Sequence, residues 1–187
     1  MATLTETRYT PEDLLMITDR PMPELIDGQL LERPLMGQKS DAIAAAVLLT
    51  IGLFIREHRL GLVNGAQGSY QIFPHDPKKV RIPDVSFTRQ DRLPTRGPAE
   101  GHSRTVPDLV VEVISPHDIA ADLEEKVEDF LSAGVPLIWV LNPETRTVQV
   151  HRGDGSGSRL RPGDTLDGED VLPGFRCEVS ALFEGIG

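Results

Sequence analysis

The stretch from Pro107 to Asn142 constrains this chain more than any other. It reads "PDLVVEVISP", then "DIAADLEEKVEDFLSAG", then, two residues on, "LIWVLN". The outer pieces are short apolar runs rich in β-branched residues, as buried strands are. The middle piece carries apolar residues at helical spacing and stops at Gly134. Strand, helix and strand in this order form a crossover, which returns the second strand parallel to the first and buries both on two faces. The predicted fold class is therefore α/β, a mixed β-sheet flanked by helices.

The remainder adds antiparallel pieces and a second long helix. Thr10 followed by Pro11, Glu12 and Asp13 is a helix start. Asp27-Gly28 inside "PELIDGQLLER" is a two-residue hairpin signal. A helix is predicted over 40–58, with Ile43, Val47, Ile51 and Phe54 on one stripe and Gly61 past its end. "LVNGAQGSYQIF" reads as a hairpin or a pair of strands, and further strands fall at about 82–88 and 108–115. Between those strands lies a polar loop, 89–105, with four arginines, two prolines and two glycines. "LIWVLN" and "TVQVHR" make a hairpin around "PETR", and the last segments, "DTLDGEDVLPGF" and "VSALFEG", are short and irregular. With 187 residues and no repeat or long linker, one domain is expected over 1–187, its core at about 8–184.

Two of the most apolar strands each carry an acid. Asp84 stands in "RIPDVSF" and Glu112 in "PDLVVEVISP", and an isolated buried carboxylate is costly. A divalent cation offsets that cost. Mg²⁺ in particular takes oxygen ligands, typically one or two carboxylates with waters and substrate phosphate. On the helix between the parallel strands, Ile119, Leu123, Val127, Phe130 and Leu131 form the buried stripe. Lys126 lies ~70° from the stripe's centre at 100° per residue, closer to it than the other charged residues there. A lysine snorkelling to solvent would satisfy the same pattern. Acid, acid and lysine nonetheless match a division of labour in which the acids hold a metal and the lysine orients a water and offsets phosphate charge. Glu24, in the first hairpin strand, is a candidate further ligand, as is the Val113 carbonyl. His117 in "SPHD" reads as part of a helix cap, and the five scattered histidines form no zinc pattern.

"PELIDGQLLE", "RIPDVSF", "PDLVVEVISP", "EEKVEDFLSAGVPLIWVLNPE" and "LPGF", in this order, resemble the Uma-two family, a branch of the PD-(D/E)XK nuclease superfamily. The resemblance covers about residues 8 to 184. It implies the restriction-endonuclease-like α/β core and Mg²⁺-dependent hydrolysis of DNA phosphodiesters, with Mn²⁺ able to substitute. It matches Asp84 to the Asp of the PD pair, Glu112 to the second acid and Glu24 to the early acid. Two positions depart from the pattern. Ile114 stands where the superfamily carries its lysine, which in this branch moves to the following helix, the place of Lys126. Ser40, after Lys39, stands where the family often has a histidine at the start of the long helix. Arg81, Lys39 and Ser40 are the expected substrate contacts.

Two functions follow from this reading. The first is a Mg²⁺-dependent endonuclease whose DNA groove is supplied locally by Arg81, Arg89, Arg92, Arg96 and Arg104. The second is a catalytically silent nuclease-fold module for binding or assembly, favoured by Ser40 and by a net charge of −10, which opposes a broad electropositive surface. Apolar positions near the C-terminus and the resemblance predict a homodimer. The single cysteine, Cys177, and a start lacking a basic and apolar leader predict a cytoplasmic protein. The run "AIAAAVLLTIGLFI", 14 residues, is too short for a bilayer and predicts a core helix rather than a membrane segment.

Overall fold

The structure is a computed structural model, and it describes residues 8–18, 21–33, 35–95, 97–98 and 100–185. Arg96 lies outside the described residues. The chain starts with a short helix, α1 (Pro11–Leu15), closed at its N-terminus by a reciprocal box. The Thr10 hydroxyl accepts the Asp13 N–H, and the Asp13 carboxylate accepts the Thr10 N–H. The hairpin β1 (Glu24–Ile26) and β2 (Gln29–Leu31) follows. Its two turn residues, Asp27 and Gly28, both have positive φ (51° and 80°), as a turn matched to strand twist requires.

The core is a six-stranded mixed sheet. Its members are β3 (Gly61–Asn64), β4 (Val85–Arg89), β5 (Leu109–Val113), β6 (Leu137–Asn142), β7 (Thr147–Arg152) and β8 (Gly157–Leu160), side by side in that order. Only β5 and β6 are parallel, the pair the crossover helix α3 (Ala120–Ser132) connects. The long helix α2 (Gln38–His58) covers one face and α3 the other. On the α2 side Ile43, Val47, Ile51 and Ile55 pack on Val85, Phe87, Val111 and Trp139. On the α3 side Val127 and Phe130 pack on Val110, Ile138 and Val140. A small pair, β9 (Thr165–Asp167) and β10 (Arg176–Glu178), closes the α2 side, bringing Phe175 to within 5.9 Å of Trp139, centroid to centroid.

Several expectations are corrected. Gly61 lies past the end of α2 as expected, but the left-handed cap is Arg59, with φ 55°; Gly61 is needed because a β-carbon there would run into the Thr88 carbonyl. Residues 61–73 form no hairpin of their own, since β3 pairs with β4 and Tyr70 bridges Arg81 and Ser103. Ile119 is 62% exposed and precedes α3 as its N-cap, outside the buried stripe. At 21 residues α2 is long and apolar enough to cross a bilayer by length and composition, which the 14-residue count missed; in the fold its buried stripe lies on the sheet.

Candidate active site

Strand alternation determines which face the acids occupy. On β5, Leu109, Val111 and Val113 join the core beneath α2 while Val110 joins the core beneath α3, so Glu112 faces α3 as well. On β4, Val85 and Phe87 turn toward α2, which leaves Asp84, one step before the strand, on the α3 side. The two strands pair Val85 with Val111; carried one residue further, that register sets Asp84 opposite Glu112. Asp84 Oδ2 accepts the Val113 N–H at 2.8 Å, fastening the two strand ends.

Lys126 reaches down from α3 into this corner. Its Nζ donates to Glu112 Oε2 and to the Ile82 carbonyl, each at 2.9 Å, and lies 3.1 Å from Glu24 Oε1. It is 9% exposed, so the snorkelling alternative does not describe it. Glu24 is buried behind the lysine. Its Oε1 also accepts the Ile82 N–H at 2.9 Å, and its Oε2 pairs with Arg81 Nη1 at 2.9 Å. Both oxygens of the expected further ligand are thus already engaged by the chain. Arg81, expected at the substrate, is 2% exposed and places its guanidinium on Glu24, Asp129 and Glu125.

Burial is the first influence on Glu112, Asp84, Glu24 and Lys126. It pushes Glu112 up to about 8; neighbouring Asp84 and Glu24 add to the rise, and Lys126 opposes it. It raises Asp84 too, against the pull of Lys126, the Val113 N–H and Arg33. Burial alone would raise Glu24, but Lys126, Arg81 and the Ile82 N–H together hold it below the usual carboxylate range. Lys126 itself stays above its ordinary value, because Glu112 and Glu24 outweigh the desolvation of its ammonium.

These groups line one cavity of about 400 Å³, with Glu24, Arg33, Asp84, Glu112, Val113 and Lys126 in its wall. Glu112 Oε1 is buried with no hydrogen-bond partner, an acceptor that a cation or a proton would satisfy. Among the described residues no three His, Cys, Asp or Glu side chains form a ready-made metal cage. A pair of carboxylates beside open cavity volume is instead the donor set that suits Mg²⁺, which keeps waters and shares its shell with phosphate. The residues present fit that ion.

Other predicted positions lie elsewhere. Ser40 is buried and donates to the Ile114 carbonyl at 2.9 Å; Lys39 pairs with Glu144 at 2.9 Å. Neither lines the cavity. Of the expected groove arginines, Arg89 pairs with Asp91 and Arg92 with Asp108, while Arg104 borders a second cavity of about 430 Å³. His117 lines the first cavity; the α3 N-cap is Ile119, with no side-chain cap bond. Sequence reading missed Arg33, whose Nη2 lies 3.3 Å from Asp84 Oδ1. Its place just after the hairpin that supplies Glu24 was the available signal.

The sequence of the Uma2 family, described as "Putative restriction endonuclease", matches residues 11–180. The fold is similar to a crystal structure from Anabaena variabilis described as "a putative nuclease belonging to DUF820". The TM-score is 0.79 at 19% identity, over 95% of this chain and 99% of that one. No curated protein matches the chain.

Proposed function

Since the chain belongs to the Uma2 family, we propose that it is a Mg²⁺-dependent endonuclease that hydrolyses phosphodiester bonds of DNA, with Mn²⁺ able to substitute. The observation that carries this reading is the convergence of Asp84, Glu112 and Lys126 on one cavity, although they come from the residue before β4, from β5 and from α3. In this reading Asp84 and Glu112 bind the cation, with the Val113 carbonyl as a further oxygen donor. Once bound, such an ion stabilises charge on the phosphate and lowers the pKa of water. Lys126 orients the attacking water and offsets the charge that builds on the phosphate. As water adds to phosphorus, the bond to the leaving oxygen breaks and that oxygen takes up a proton. Glu24 positions Lys126 through their 3.1 Å contact, and Arg81 holds Glu24. A homodimer would offer one such site to each strand of a duplex.

The second reading, a nuclease-fold module without catalysis, draws support from the net charge of −10 and from Arg89 and Arg92 being paired within the chain. Nicking of supercoiled plasmid in Mn²⁺ separates the two. The endonuclease reading expects nicking by the unsubstituted protein and none by Asp84→Ala or Lys126→Ala. Equal nicking by all three marks a contaminant and removes the reading.

A further inference from the structure

Among the described residues three cationic side chains line the cavity, and they are not equivalent. Lys126 and Arg81 each meet at least two carboxylates of the chain at 3.1 Å or less. Arg33 meets one. Among the described residues its only carboxylate partner is Asp84, through Nη2 at 3.3 Å, longer than the roughly 2.7–2.9 Å of a firm charge-assisted bond. It sits in the strap between β2 and α2, part-buried at the cavity wall. Asp84 Oδ2 is already taken by the Val113 N–H. Oδ1, which takes no backbone hydrogen bond among the described residues, is the oxygen Arg33 holds.

Resting on the nuclease reading, we infer that Arg33 is an exchangeable arm, bound to Asp84 in the metal-free site and transferred to a DNA phosphate when a dication takes Asp84 Oδ1. A guanidinium 3.3 Å from that oxygen is repelled by two positive charges arriving on it, and among the described residues no second carboxylate forms an ion pair with it. A phosphodiester entering the cavity presents the planar pair of oxygens to which guanidinium is matched. Arg33 thus screens Asp84 from its neighbour Glu112 while the site is empty and becomes a substrate contact only when it is loaded.

Two titrations on the full chain test this. In calorimetry with Mg²⁺ alone, Arg33→Ala binds the ion about fivefold more tightly than the unsubstituted protein, the order of one lost partly exposed ion pair. In duplex binding followed by anisotropy, Ca²⁺ serves as the dication because it takes the same oxygen donors. There Arg33→Ala lowers the steepness of log K against log salt by about 0.9, one phosphate contact. Without a dication the two slopes coincide. Arg33→Lys, which keeps the charge, restores the slope. An unchanged Mg²⁺ affinity in Arg33→Ala, equal slopes with Ca²⁺, or no restoration by Arg33→Lys overturns the exchange alone. Absence of Mg²⁺ binding by the unsubstituted protein overturns the nuclease reading together with it.

Discussion

Lys126 Nζ lies 2.9 Å from Glu112 Oε2, joining helix α3 to strand β5 across 14 positions of sequence. The position two residues after Glu112, where the superfamily pattern carries its lysine, is Ile114, which packs in the core beneath α3. The ammonium therefore enters the same corner from a different element. Because α3 leaves β5 and crosses back to β6, its buried flank overlies the end of β5, and a four-carbon stem spans the gap.

The raised acids make stability depend on pH. A carboxyl whose pKa is higher folded than unfolded contributes stability that is full below the unfolded value and is lost as pH rises through the folded one. For Glu112 that window runs from 4.5 to about 8, and Asp84 acts in the same direction. Glu24, lowered from 4.5, acts below the window, while His151, lowered from 6.5 by burial, pulls the opposite way inside it. In the metal-free protein the urea midpoint should fall further between pH 5 and 8 in the unsubstituted chain than in Glu112→Gln. Matching pH profiles would show that Glu112 does not titrate in this range.

Mn²⁺ should raise the melting temperature, since an ion that binds only the folded state stabilises it by about 2.7 kcal/mol at a hundredfold excess over Kd. Asp84→Ala should abolish the rise. A rise that persists in Asp84→Ala would place the ion elsewhere.

Arg81→Ala should cost about 3–5 kcal/mol of folding stability, because it strips the counter-charge from buried Glu24. Pairing it with Glu24→Gln should recover part of that loss in a double-mutant cycle. Purely additive denaturation energies would mean that the Arg81–Glu24 contact carries no coupling.

Lys39→Ala and Ser40→Ala should leave duplex affinity and plasmid nicking within about twofold of the unsubstituted protein, as neither side chain lines the cavity. Loss of the Ser40 hydroxyl should still cost about 1 kcal/mol of stability, from its bond to the Ile114 carbonyl. A tenfold drop in duplex binding by either variant would restore them as substrate contacts.

Much of the frame was legible in local chemistry. The Asp27-Gly28 turn, the Thr10 cap and the crossover over β5, α3 and β6 all appear where short-range rules put them, since each depends on residues a few positions apart. The 61–73 region was misread because β3 finds its partner in β4, more than twenty residues on, and no local signal encodes that pairing. Within the site, helical spacing placed Lys126 on the buried flank, and strand apolarity marked Asp84 and Glu112. The ion pairs of Arg81 were not legible, because its partners, Glu24, Asp129 and Glu125, come from a hairpin and a helix distant in sequence.

What the chain's own order determined was the crossover and the period-two alternation that turns Asp84 and Glu112 to one face, because side-chain direction follows from backbone geometry. Only the tertiary structure decided which charges are matched. Glu24 engaged, Arg81 neutralised, Lys39 drawn away to Glu144 and Arg33 set against Asp84 at 3.3 Å are outcomes of packing. Coulomb energy depends on distance through space and on burial, neither of which separation along the chain reveals.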